Sequence, residues 1–165
     1  MPDQVRHDGF TKDKTMTAKH EPRLFPDDAA IRRVGEGMIE RTLPRPDWTH
    51  EAHLAACCWL LVERPDILPE RDLPAFIRRY NESVGGVNSD TEGYHETITQ
   101  TYIIAVRAFL ERTDRELPLA DKVNGLLGSE EGRRDWPLNF YTPGRLFSRE
   151  ARLGWMEPDE KPVSG

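Results

Sequence analysis

Cysteine is scarce in this chain, and no long apolar run occurs. The two cysteines, Cys57 and Cys58, are neighbours inside one apolar stretch, where a disulfide between them is unfavourable and no cross-linked framework of the secreted kind is available. The longest apolar run, Leu54 to Val62, is nine residues, about half of what a membrane-spanning helix requires. The opening residues Met1-Pro2-Asp3-Gln4 lack the basic and then apolar order of an export signal. We therefore expect a cytoplasmic protein with no membrane partner. A surplus of positive charge is also missing. The formal net charge is −6, which argues against nonspecific attraction to nucleic acid.

What remains is a chain of 165 residues, 37% hydrophobic and 32% charged. That length suits one domain burying about 70% of the surface its unfolded form exposes. Residues 1–24 carry too little apolar surface to offset the entropy of ordering, so we expect a disordered N-terminal arm, with His7 and His20 solvated in it. Residues 25–157 are expected to form a single helical domain and 158–165 a flexible tail.

Five helices are expected in that domain. Asp27 or Asp28 caps a first helix that runs to about Thr42; Gly35 and Gly37 either cost it about 1 kcal/mol each, offset by tertiary packing, or allow another backbone to approach closely. A second runs from about Thr49 to Glu63 and is stopped by Arg64-Pro65. Taking 100° per residue, His50, His53, Leu54, Cys57 and Leu61 share an arc of about 100°, the width of a core-facing stripe. A third covers about Leu73 to Glu82. Ser89 and Glu92 have capping-box spacing for a fourth, about Thr91 to Arg112, on which Glu92 lies about 60° from His95. A fifth covers about Pro118 to Leu127. From Ser129 the chain is aromatic but aperiodic, an ordered arm laid over the bundle, with a last short helix between Ser148 and about Trp155. The expected fold is all-α, an up-and-down bundle of about five helices with an aperiodic C-terminal arm.

The chemistry is concentrated in Trp48-Thr49-His50-Glu51-Ala52-His53-Leu54 and in Glu92-Gly93-Tyr94-His95-Glu96. If the second, third and fourth helices pack up, down and up, the second and fourth start at the same end of the bundle. His50, His53, Glu92 and His95 would then converge as three imidazoles and a carboxylate, a donor set suited to one divalent Zn, Fe, Mn or Ni ion. An open position on such a metal supplies a water nucleophile or accepts a substrate, with Glu51 or Glu96 as general base. His50-Glu51-Ala52-His53 is not the zinc-protease motif, whose histidines are four apart. The Gly85-Gly86 turn lacks the Gly-Lys-Ser/Thr ending of a phosphate loop. Cys57 is expected to fill core one turn below the histidines.

Arg79, Tyr80, Asn81 and Asn88 should reach the same end of the bundle, with Tyr141 and Arg145 of the arm covering it. Arg79 or Arg145 would hold an anionic substrate group. The function these residues suggest is a metal-dependent enzyme, hydrolytic or non-haem oxidative, acting on a small molecule. The alternative is a noncatalytic helical protein that binds a ligand or partner, with the histidines in a buried hydrogen-bond network.

Several phrases also resemble a family of small bacterial proteins. They are Trp48-Thr49-His50-x-x-His53-Leu54, Arg79-Tyr80-Asn81, Thr91-x-Gly93-Tyr94-His95-x-Thr97 and Arg145-Leu146-Phe147-Ser148 with Ala151-Arg152, and the likeness spans about residues 30 to 158. No activity is established for that family, so the resemblance implies no chemistry, and the metal reading stands on spacing.

Overall fold

A computed structural model describes residues 21–164; the expected N-terminal arm, including His7 and His20, falls almost wholly outside them. The fold is all-α, with no strand among the described residues. The five longer helices are α1 (Asp28–Glu40), α2 (His50–Glu63), α3 (Pro69–Ser83), α4 (Glu96–Glu111) and α5 (Leu119–Leu127). Two short ones follow in the arm, α6 (Pro143–Leu146) and α7 (Arg149–Leu153), and three single 3-10 turns fill the connections.

The starts follow capping chemistry. Asp27 Oδ1 accepts from the Ala30 N–H at 2.9 Å, Thr49 Oγ1 from Ala52 at 3.1 Å and Ser148 Oγ from Ala151 at 3.1 Å, each satisfying a donor that the first helical turn leaves open. α1 ends where Arg41 turns left-handed, with φ 62°, and α2 ends before Pro65. α3 begins four residues earlier than the apolar spacing suggests, because Pro69 suits a first helical position.

α2 is the central helix. Ala52, Leu54, Ala55, Ala56, Cys57, Cys58, Trp59 and Leu60 are all buried, so apolar residues lie around its whole circumference, as a helix enclosed by neighbours requires. α1, α3, α4 and α5 all pack on it. Gly35 of α1 permits the closest approach, since a Cβ there would stand 2.2 Å from Trp59 Cε3. Arg32 grips Glu63 through two 2.8 Å hydrogen bonds, linking α1 to α2. Asn124 of α5 exchanges two 2.9 Å bonds with the Phe25 backbone, which fixes the entry to α1.

The C-terminal arm is ordered over α4, as expected. Trp136, Phe140, Tyr141 and Leu146 form a second apolar cluster with Ala105, Ile98 and Tyr102 of α4. The tail is not loose at its start. Asp159 holds the backbone N–H and hydroxyl of Thr142, Glu160 N–H donates to the Phe140 carbonyl, and Val163 packs against the second cluster. No helix among the described residues is long and apolar enough to cross a membrane.

Candidate functional site

Two recesses meet at His53. The larger, about 600 Å³, lies between the Pro44–Trp48 turn, the end of α3 and the loop before α4; its walls include Arg45, Trp48, Tyr80, Asn81, Thr91 and Glu92. The smaller, about 300 Å³, lies between α2, α3 and α4 and also takes in His50, Tyr102 and Arg134. His53 borders both.

The expectation that both histidines of α2 face the core is corrected here. His53 is exposed and His50 half-buried, because a helix buried nearly all round has no single core stripe for a helical-wheel argument to find. The His53 ring stacks at a tilt on Trp48, with centroids 3.9 Å apart. Its Nδ1 lies 2.7 Å from the Thr49 carbonyl oxygen. A carbonyl only accepts, so Nδ1 carries the proton and Nε2 is left as a lone-pair acceptor. Among the described residues no protein group bonds that Nε2. The residue still meets solvent, but the protein atoms crowded around its ring desolvate it and lower its pKa below the ordinary imidazole value, against the opposing pull of the Thr49 carbonyl. His50 is fixed in the same manner: Nε2–H donates to the Gly132 carbonyl at 2.9 Å, leaving Nδ1 as the acceptor, and burial lowers its pKa.

Glu92 and His95 are not a pair on one helix face. α4 starts at Glu96, and Glu92 is exposed in the preceding loop. Ser89 Oγ does accept from Glu92 N–H at 3.1 Å, but the Glu92 carbonyl returns to Ser89 N–H at 2.9 Å and closes a turn. Gly93 then adopts φ 81°, and a Cβ there would meet the Val87 carbonyl oxygen at 2.2 Å, a conformation and a space that only glycine accepts. His95 is the cap of α4. Its Nδ1 accepts from Ile98 N–H at 3.2 Å, and Nε2–H donates to the Leu146 carbonyl at 2.8 Å. Both ring nitrogens are engaged, and His95 borders neither recess. The four expected metal donors therefore do not come together. Among the described residues no group of three or more His, Cys, Asp or Glu side chains is placed to hold a metal ion.

The two expected general bases sit elsewhere as well. Glu51 is buried and lies 4.0 Å from Arg134. Burial alone would raise its carboxyl pKa, but backbone N–H donors and Arg134 hold it below the usual range. Glu96 accepts from the Tyr94 hydroxyl at 2.6 Å and from Gln100. Neither carboxylate borders a recess.

Of the expected substrate-binding residues, Tyr80 and Asn81 line the larger recess. The Tyr80 hydroxyl donates to the Leu43 carbonyl at 2.8 Å, holding its ring in place. Asn88 shapes the recess without lining it: Oδ1 accepts from Asn81 and from Tyr94 N–H, while Nδ2 donates to the Arg78 carbonyl. Arg79 is exposed over the Phe76 ring. Tyr141 is buried and donates to the Met156 carbonyl, and Arg145 is turned toward Glu157. Those three stand away from both recesses.

Arg45 and Arg134 were not legible as site residues, and Trp48 stood out only as the start of the histidine phrase. Arg45 opens a single 3-10 turn, Arg45–Asp47, with no periodicity to orient it, and Arg134 is far along the chain from α2. The Trp48 Nε1–H is buried without an acceptor, which leaves a donor desolvated at a cost of about 1–3 kcal/mol. Compared with protein-family models, curated proteins and solved structures, the chain finds no match.

Proposed function

We propose that this chain binds a small polar molecule in the larger recess, with His53 as the group that recognises it. The observation that carries this reading is the state of the His53 ring. Its Nδ1–H is committed to the Thr49 carbonyl, so Nε2 is left as a preset acceptor on a ring that borders a recess of about 600 Å³, within the size range of small-molecule sites. Arg45 and Glu92 bring charges of both signs to the same walls, and Asn81 and Thr91 add neutral hydrogen-bonding groups. A zwitterionic or hydroxyl-rich ligand matches that mixture. The Trp48 indole, backed by the buried Tyr80 ring at 5.3 Å, offers it an apolar surface.

A metal-dependent enzyme is the second reading, favoured by a separate observation. His50, His53 and His95 each donate one ring N–H to a backbone carbonyl, the support that metal-ligating imidazoles ordinarily have. A divalent Zn, Fe, Mn or Ni ion would draw on His50, His53 and Glu92; His95 would have to release its helix cap to join them. Among the described residues these donors do not stand as a chelating group.

The test is native mass spectrometry with elemental analysis of untagged protein, His53→Ala alongside, followed by NMR titration of both with amino acids, sugar phosphates and nucleosides. A small molecule bound by the native protein and lost in the variant supports the first reading. One equivalent of metal lost in the variant selects the second. No retained metal and no perturbed His53 or Trp48 signal with any probe would overturn both.

A further inference from the structure

The smaller recess has a different character from the larger. Leu54, Leu73, Ile77, Ile98 and Ile103 make its body apolar. Its polar groups are mostly spoken for. The Tyr102 hydroxyl donates to the Arg133 carbonyl at 2.5 Å, the Thr99 hydroxyl to the His95 carbonyl at 2.8 Å, and His50 Nε2–H to Gly132. Arg134 is the exception among its donors. Its side chain is 54% exposed, which puts it at the mouth, and its nearest carboxylate, Glu51, is 4.0 Å away, beyond hydrogen-bond range. The guanidinium thus has donors to offer to a ligand that enters beside it.

We propose that this recess is a binding site for a monocarboxylate with an apolar body, the carboxylate paired with Arg134 and the body held between α2, α3 and α4. The recess, about 300 Å³, stands at the small end of the range for small-molecule sites, which suits a ligand of octanoate's size. The free acceptors His50 Nδ1 and His53 Nε2 are neutral, whereas Arg134 carries full charge, and a charge-assisted bidentate pair is about twice as strong as a neutral hydrogen bond. The sign of the ligand therefore follows Arg134. Glu51 is the opposing group, and its carboxylate is already held by backbone N–H donors. Apart from His53, which borders both, this site uses other walls and another ligand chemistry than the polar recess, so it stands even if that recess proves to bind nothing.

The experiment is isothermal titration of the full chain with octanoate, octanol and octylammonium. Saturable one-to-one binding of octanoate, with octanol about tenfold weaker or more and octylammonium undetected, is the expected result. Arg134→Gln should erase the preference of octanoate over octanol, and Arg79→Gln, whose side chain borders neither recess, should leave it intact. Equal binding of octanoate and octanol, tighter binding of octylammonium, or no saturable binding of any of the three would overturn the proposal. The three-ligand comparison needs only the native protein, so a variant that fails to fold does not blunt the test. An unchanged octanoate preference in folded Arg134→Gln would also overturn it.

Discussion

His95 Nε2 lies 2.8 Å from the Leu146 carbonyl oxygen, 51 positions away in sequence. One imidazole therefore caps α4 with one nitrogen and anchors the C-terminal arm with the other. Only the neutral Nε2–H form does both, since protonation of Nδ1 would turn the cap's acceptor into a second donor.

That tautomer makes stability depend on pH. Burial lowers the His95 pKa to about 4, against about 6.5 in an unfolded chain. The unfolded state binds the proton more readily, so stability is full above pH ~6.5 and is lost as pH falls toward 4, by roughly 3 kcal/mol from this group. Urea unfolding of native protein and His95→Asn between pH 7 and pH 4 checks it. The native protein should lose its advantage over the variant within that window; a constant difference would contradict the assignment.

Gly35→Ala should destabilise despite its helical position. Alanine gains about 1 kcal/mol of helix propensity over glycine. The new Cβ, however, would stand 2.2 Å from Trp59, a ring 2% exposed with no room to retreat, and overpacking of this kind costs about 1–3 kcal/mol. Because the clash is with a ring locked in the core, the cost should fall in the upper part of that range, a net loss of about 1–2 kcal/mol. Equilibrium denaturation reads it directly, and an unchanged midpoint would show that the ring can move.

Gln100 performs a repair. Pro74 inside α3 has no N–H for the Glu70 carbonyl four residues back, and Gln100 Nε2 of α4 donates to that carbonyl at 3.0 Å. Gln100→Met should cost about 1–2 kcal/mol by leaving a half-buried carbonyl unsatisfied. Combining it with Pro74→Ala should recover much of that loss, because alanine restores the donor. A double mutant showing simple additivity would argue against the repair.

Cys57 and Cys58 should not react in the native protein. Burial pushes the Cys58 thiol up to about 12 and the Cys57 thiol higher still, so neither is thiolate at neutral pH, and only the thiolate attacks. A disulfide reagent should modify no thiol in the folded protein and two in denaturant. Rapid native labelling would mean that α2 opens locally.

The helices were legible in the sequence where local chemistry decides them. Asp27, Thr49 and Ser148 announce helix starts through side-chain oxygens that reach only three residues, and Pro65 announces a stop by the same short range. The start of α4 was misread because a capping box and a serine-closed turn share their first hydrogen bond. Ser89 and Glu92 make that bond in both, and what separates them is Gly93 at φ 81° with Asn88 holding the loop to the end of α3.

The site was half legible for a related reason. Spacing picked out His50, His53, Tyr80, Asn81 and Glu92, which do border the recesses. It also picked out His95, Glu51 and Glu96, whose polar atoms are taken by backbone and neighbouring side chains. Residue type and spacing alone do not show which lone pairs are already used.

By itself the sequence determined the class of the fold and the placement of most helices, because these follow from periodicity, caps and composition within a few turns of chain. Only the tertiary structure decided which imidazole is a cap and which stands open. Leu146 and Gly132 reach His95 and His50 across 51 and 82 positions, and hydrogen bonds between residues that far apart depend on how the helices pack.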